Sequence, residues 1–116
     1  HDGVGYDGEW GGGGWHGGNW HGGRWHGGRW RGGEWHSGVW NGGIWVRGAW
    51  NAGKWHGGIW ETGTWKGGTW HGGNWRSGTW EDGTWLGGNV YDKKLKTYVE
   101  TKLNPAQYEN AFGGTA

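Results

Sequence analysis

The hydrophobic positions of this chain fall at one fixed spacing. Tryptophan occupies every multiple of five from 10 to 85, at Trp10, Trp15, Trp20, Trp25, Trp30, Trp35, Trp40, Trp45, Trp50, Trp55, Trp60, Trp65, Trp70, Trp75, Trp80 and Trp85, with mostly small or polar residues between. A five-residue period fits neither a helix of about 3.6 residues per turn nor one long strand, in which alternate rings would point to opposite faces. The chain must therefore turn within each repeat. A short strand x-Trp-x with the ring inward, followed by a bend through a glycine pair, keeps every ring on the same side of the wall. Stacking such turns predicts an all-β, single-chain β-solenoid of W-x-x-G-x repeats with a tryptophan-stacked core.

The other slots assign their own environments. Two residues before each multiple of five stands a glycine, from Gly3, Gly8 and Gly13 through to Gly88, without exception. Either a positive φ at a corner or a crowded inward position explains a slot that tolerates no Cβ. Where tryptophan is missing, Gly5 and Val90 keep the phase, so the array spans residues 1–90 and a tail occupies residues 91–116. The residue after tryptophan varies freely among His, Arg, Asn, Glu, Lys, Val and Leu, which places it in solvent. The residue before it leans toward β-formers, as in Val39, Ile44, Ile59, Thr64, Thr69, Thr79 and Thr84.

With Gly73, Asn74, Trp75, Arg76 and Ser77 in its five places, the unit resembles that of pentapeptide-repeat proteins. Here glycine stands for their usual alanine and tryptophan for their leucine or phenylalanine. The resemblance implies four repeats to a square coil; two facing walls would instead close a ten-residue coil. At about 4.8 Å per coil, the array would be roughly 22 Å or roughly 43 Å long. Column chemistry at the two spacings does not separate them: Val39 stacks on Ala49 at ten residues and on Ile59 at twenty.

After Val90 the period stops. Leu95, Thr97, Val99, Thr101 and Leu103 alternate with charged residues and a tyrosine, as in a half-buried strand, and Asn104-Pro105 reads as the cap and first turn of a short helix. This strand and helix are expected to cap the open solenoid end or to dock another chain, through Tyr91, Leu95, Tyr98, Val99, Leu103, Tyr108 and Phe112.

Composition narrows the chemistry. The 116 residues include 33 Gly and 16 Trp but one Phe, no Met and no Cys, so any core must be made of indoles and thiolate sites are excluded. A formal net charge of +1 with scattered cations gives no footprint for nucleic acid. No apolar run approaches the roughly 20 residues of a membrane helix. The few Ser and the ten dispersed carboxylates form no catalytic motif, so no enzyme activity and no cofactor are expected.

His-Gly-Gly-x-Trp at His16, His21, His26, His56 and His71, with a Ser variant at His36, resembles the copper-binding octarepeats of prion proteins. That resemblance implies an alternative function, copper(II) held by imidazole and glycine amides. The bland reading is that His fills a variable outward slot, and it is preferred. A glycan-binding surface, with sugars stacked on outward-facing rings, is a further alternative. Finally, Gly63 through Trp85, with its Gly-Thr-Trp and Gly-Asn-Trp units, resembles repeat arrays in virion proteins of contractile-tailed bacteriophages. This implies a noncatalytic structural or adhesive component of a tail, baseplate or fibre, on a virion or an extracellular surface. Its partners would be other chains of the assembly, copies of itself, or a host receptor or glycan.

Overall fold

The computed structural model describes residues 6–113. The proposed array start at His1, with Gly3 and Gly5, lies outside the described residues. Within them the chain is a β-solenoid of about five turns, followed by a hairpin arm and a short helix.

The coil is neither ten nor twenty residues long. Each strand pairs in parallel with the strand fifteen residues away, Trp15 with Trp30, Trp30 with Trp45, Trp45 with Trp60 and Trp60 with Trp75. Three repeats therefore close one coil, and the cross-section has three walls. One wall carries Trp10, Trp25, Trp40, Trp55, Trp70 and Trp85; the second carries Trp15, Trp30, Trp45, Trp60 and Trp75 and ends on Val90; the third carries Trp20, Trp35, Trp50, Trp65 and Trp80. The strand Asn19–Trp25 continues round a corner and joins two of the walls into one sheet.

Two hydrogen bonds recur along the ladder. The residue before each tryptophan donates to a corner glycine below it, as Arg29 N does to Gly13 O at 2.9 Å, and the residue after it donates to the tryptophan below, as Arg31 N does to Trp15 O at 2.7 Å. Inside, rings one coil apart lie nearly parallel: Trp35 and Trp50 have centroids 4.7 Å apart and planes 6° apart. Successive rings along the chain meet edge to face, as Trp40 and Trp45 do at 5.8 Å and 71°. The rings from Trp15 to Trp70 are wholly buried, and exposure reaches only 8% at Trp85.

Both explanations of the glycine column hold at once. Gly48 has φ +122°, and a Cβ there would lie 2.5 Å from the carbonyl oxygen of Gly33 in the coil below and 3.1 Å from Trp30 Nε1. The corner needs a left-handed residue, and the coil below fills the space any side chain would use.

The tail differs in part from its sequence reading. Gly88–Asp92 forms one strand, and Thr97–Thr101 returns antiparallel to it, pairing Val90 with Val99. Leu95 is not in the strand. It lies in the four-residue turn between the arms, 65% exposed. The Asp92 carboxylate accepts hydrogen bonds from the Lys94 and Leu95 amides, and Lys96 takes a left-handed φ of 58°, so the alternating pattern is broken by local turn chemistry. The helix Pro105–Tyr108 begins where expected, on an Asn104 cap completed reciprocally by Gln107, and widens into a π-helical turn, Glu109–Gly113.

Substitution at the two glycine slots should separate corner from wall. Gly48→Ala is expected to destabilise the fold by more than about 2 kcal/mol, because backbone conformation and overlap both oppose it. Gly57→Ala, whose Cβ would meet only Asn41 O at 3.9 Å, should change stability by less than about 1 kcal/mol. Chemical denaturation followed by tryptophan fluorescence measures both, and equal effects would contradict the corner assignment.

Candidate functional site

With every ring turned inward, three features remain that can meet another molecule: the outward columns, a hollow on one wall, and the tail. The columns follow from the coil. Side chains flanking tryptophan point out, and each sits over its counterpart one ladder step away, so Ile44 pairs with Ile59, Thr64 with Thr79 and Asn74 with Asn89. Asn89 Nδ2 donates to Asn74 Oδ1 at 2.9 Å, and the Arg76 guanidinium lies 4.5 Å over the Tyr91 ring. The column continues onto Tyr91, one residue past the predicted end of the array.

The histidines separate into distinct settings. His21 and His36 stack one coil apart with ring centroids 4.9 Å apart, and His56 and His71 stack at 4.6 Å. His26 instead faces Asn41, its Nδ1 3.2 Å from Asn41 Nδ2, and His16 borders the hollow. Partial burial, then the neighbouring His71 and Lys54, hold the His56 pKa below the usual imidazole value. No three metal-ligating side chains gather among the described residues. The single-repeat chelate that His-Gly-Gly suggests would also disturb bonded backbone: after His56, Gly57 O accepts from Trp40 Nε1 and Gly58 O from Asn74 N.

The hollow, about 530 Å³, is lined by Ile44 and Val46 together with Arg29, Arg31, Arg47, His16 and Glu61. Stacking of sugars on the tryptophan ladder has no surface to use, since the rings from Trp15 to Trp70 are wholly covered.

Indole N–H groups reach the corner of the coil above. Trp35, Trp40, Trp50 and Trp55 donate to the carbonyls of Ala52, Gly57, Gly67 and Gly72 at 3.0–3.1 Å. The acceptor is always seventeen residues ahead, and in all four cases it is glycine or alanine. Where that slot carries Arg47, Thr62, Ser77 or Asp82, the Nε1 atoms of Trp30, Trp45, Trp60 and Trp65 are buried without a hydrogen-bond acceptor among the described residues. Trp25 and Trp70 Nε1 are likewise without an acceptor although their slots carry Gly42 and Gly87, so a small residue in this slot does not by itself close the corner onto the ring.

The tail residues lie as follows. Val99 and Leu103 pack against the last rings, Tyr108 is buried, and Trp85 Nε1 donates to Thr101 O at 3.0 Å. Tyr91 and Tyr98 meet edge to face across the hairpin. Leu95 and Phe112, at 65% and 57% exposure, stand on the outer side with Val99 and Leu103 in an apolar groove. Asp92, which the sequence reading missed, holds this together: Tyr108 Oη donates to its Oδ2 at 2.5 Å while Oδ1 holds the turn. Asp92 opening a Lys-Lys turn was a readable turn signal. Its pairing with Tyr108, sixteen residues on, was not.

Between the last coil and the tail lies an open cleft lined by Trp75, Arg76, Trp80, Asp92, Lys93 and Tyr108 among others. Its one buried carboxylate is already engaged by the Tyr108 hydroxyl. No helix among the described residues is long and apolar enough to cross a membrane. Comparison with protein-family models, with curated proteins and with solved structures finds no match.

The latch carries its own pH window. The Tyr108 hydroxyl, followed by the Leu95 and Lys94 amides, holds the Asp92 carboxyl below its usual value, so its contribution is present above about pH 4 and is lost as pH falls through the folded pKa. The same bond pushes the Tyr108 pKa up to about 12, so the phenol's contribution is fully present below about pH 10 and is lost as pH rises from there through the folded pKa. Tyr108→Phe should speed amide exchange in residues 94–108 several-fold at neutral pH, with the array's amides unchanged. Unaltered exchange in the tail would show that the bond does not hold it down.

Proposed function

We propose that the chain is a noncatalytic structural or adhesive module of a larger assembly, a tail, baseplate or fibre component of a contractile-tailed phage virion displayed at an extracellular surface. One observation carries this reading. The buried core of the array is a continuous internal column of indoles, while the outward slots change from coil to coil. Such a body can vary its length and its surface independently, which suits a spacer or a host-contacting rod. The likeness of Gly63 through Trp85 to phage virion arrays supports the assembly named. The partners are neighbouring protein chains and, through the outward columns, a receptor or glycan at the host surface. No part of this reading calls for a cofactor.

Two measurements test it. Deleting residues 46–60 removes one full coil and returns every later residue to its own wall, so the shortened chain should keep its near-UV circular dichroism and unfold cooperatively. Loss of folding would contradict an independently adjustable spacer. Antibody raised against the purified chain should decorate tailed particles in immunogold electron microscopy of the source culture. A chain found only away from any particle would overturn the virion assignment.

A further inference from the structure

The geometry points to two divalent transition-metal sites on the outer surface, one on each of two walls, each formed by a pair of imidazoles one coil apart, His21 with His36 and His56 with His71. This inference is independent of the assembly role and uses a different ligand set from a single His-Gly-Gly unit.

The argument begins with what the ladder fixes. The two strands of each pair are in parallel register fifteen residues apart, with Trp20 opposite Trp35 and Trp55 opposite Trp70, so the residues that follow them leave the wall side by side. Their rings are stacked at 4.9 Å and 4.6 Å and tilted by only 10° and 18°. A first-row divalent ion binds imidazole nitrogen at about 2.0–2.1 Å, so two nitrogens on one ion stand between about 2.9 Å apart when adjacent and about 4.2 Å when opposed. In the stack the in-plane nitrogen lone pairs run nearly parallel, so loading an ion needs the two side chains to rotate by roughly 45° each until their nitrogens converge on it.

Imidazole suits nickel, copper and zinc. Imidazole ligates as the neutral ring, so binding competes with protons and weakens as pH falls. With no third side-chain ligand among the described residues, water completes the coordination of each ion. Among the described residues His16 and His26 lack this geometry. His26 faces Asn41, and the position one coil above His16 is Arg31, a cation, so neither supplies a second imidazole.

Isothermal titration of the full chain with Ni²⁺ at pH 7.5 tests the assignment, in a His1→Ser background that keeps the N-terminal imidazole out of the count. Two ions per chain are expected. His36→Asn should reduce the stoichiometry to one, and His36→Asn with His71→Asn should abolish binding, while His16→Asn and His26→Asn leave it at two. All these positions are on the surface, so unchanged near-UV circular dichroism verifies that each variant is folded. Absence of binding to the parent chain overturns the inference. So does binding that survives in the double variant, or a decline shared equally among all six described His-Gly and His-Ser units, which would assign the metal to single repeats.

Discussion

Everything in this structure follows from fitting indoles to a β-ladder. Neighbouring strands rise by about 4.8 Å, while two aromatic faces touch at roughly 3.5 Å, so a ring lying flat across the axis would leave a gap to the ring above. The rings instead stay parallel at 4.7–5.0 Å between centroids from Trp15 to Trp85, an offset stack inclined by about 45° to the axis. Tilted in this way, each ring offers an edge to the next ring along the chain, and edge-to-face contacts run unbroken from Trp10 to Trp85. Face contacts hold coil to coil, and edge contacts hold wall to wall.

The corner glycines are the counterpart of that arrangement. A coil closed by three bends in fifteen residues must turn sharply, and each bend sits directly over the bend below. A Cβ at Gly38 would meet both Gly23 O and Trp20 Nε1, at 2.5 Å and 3.1 Å. Bend and ring therefore compete for the same space, and glycine leaves it to the ring. This is also why the outer surface is free to vary: neither the flanking residues nor the ladder hydrogen bonds take part in the competition.

The repeat, the inward indoles and the all-β solenoid were legible because each is a local consequence of a strict period. Coil length was not, because it depends on how three large rings close against one another. A comparison with square coils of smaller residues pointed to twenty residues, and two facing walls pointed to ten. At fifteen residues Ile44 meets Ile59, Thr69 meets Thr84, Asn74 meets Asn89, and His21 and His56 meet His36 and His71, but ten residues also brings Thr69 to Thr79 and twenty brings Thr64 to Thr84, so like columns alone do not select the coil. In the tail, alternation carried Leu95 into a strand it does not join, since the Asp92 side chain captures the amides that a strand would have used. The helix start was readable because its signal, Asn104-Pro105 with Gln107, is entirely local.

The most direct test of the three-walled coil is cysteine cross-linking on the outer surface, where substitutions leave the rings untouched. Val39 and Lys54 are ladder partners on one wall, while Ala49 and Ile59 lie on the other two. Chains with Val39→Cys and Lys54→Cys should form an intramolecular disulfide readily on mild oxidation, whereas Val39→Cys combined with Ala49→Cys or with Ile59→Cys should keep free thiols. Rapid closure of either of the latter pairs, with none in the first, would replace three walls by two or four and undo the account of how the indoles stack.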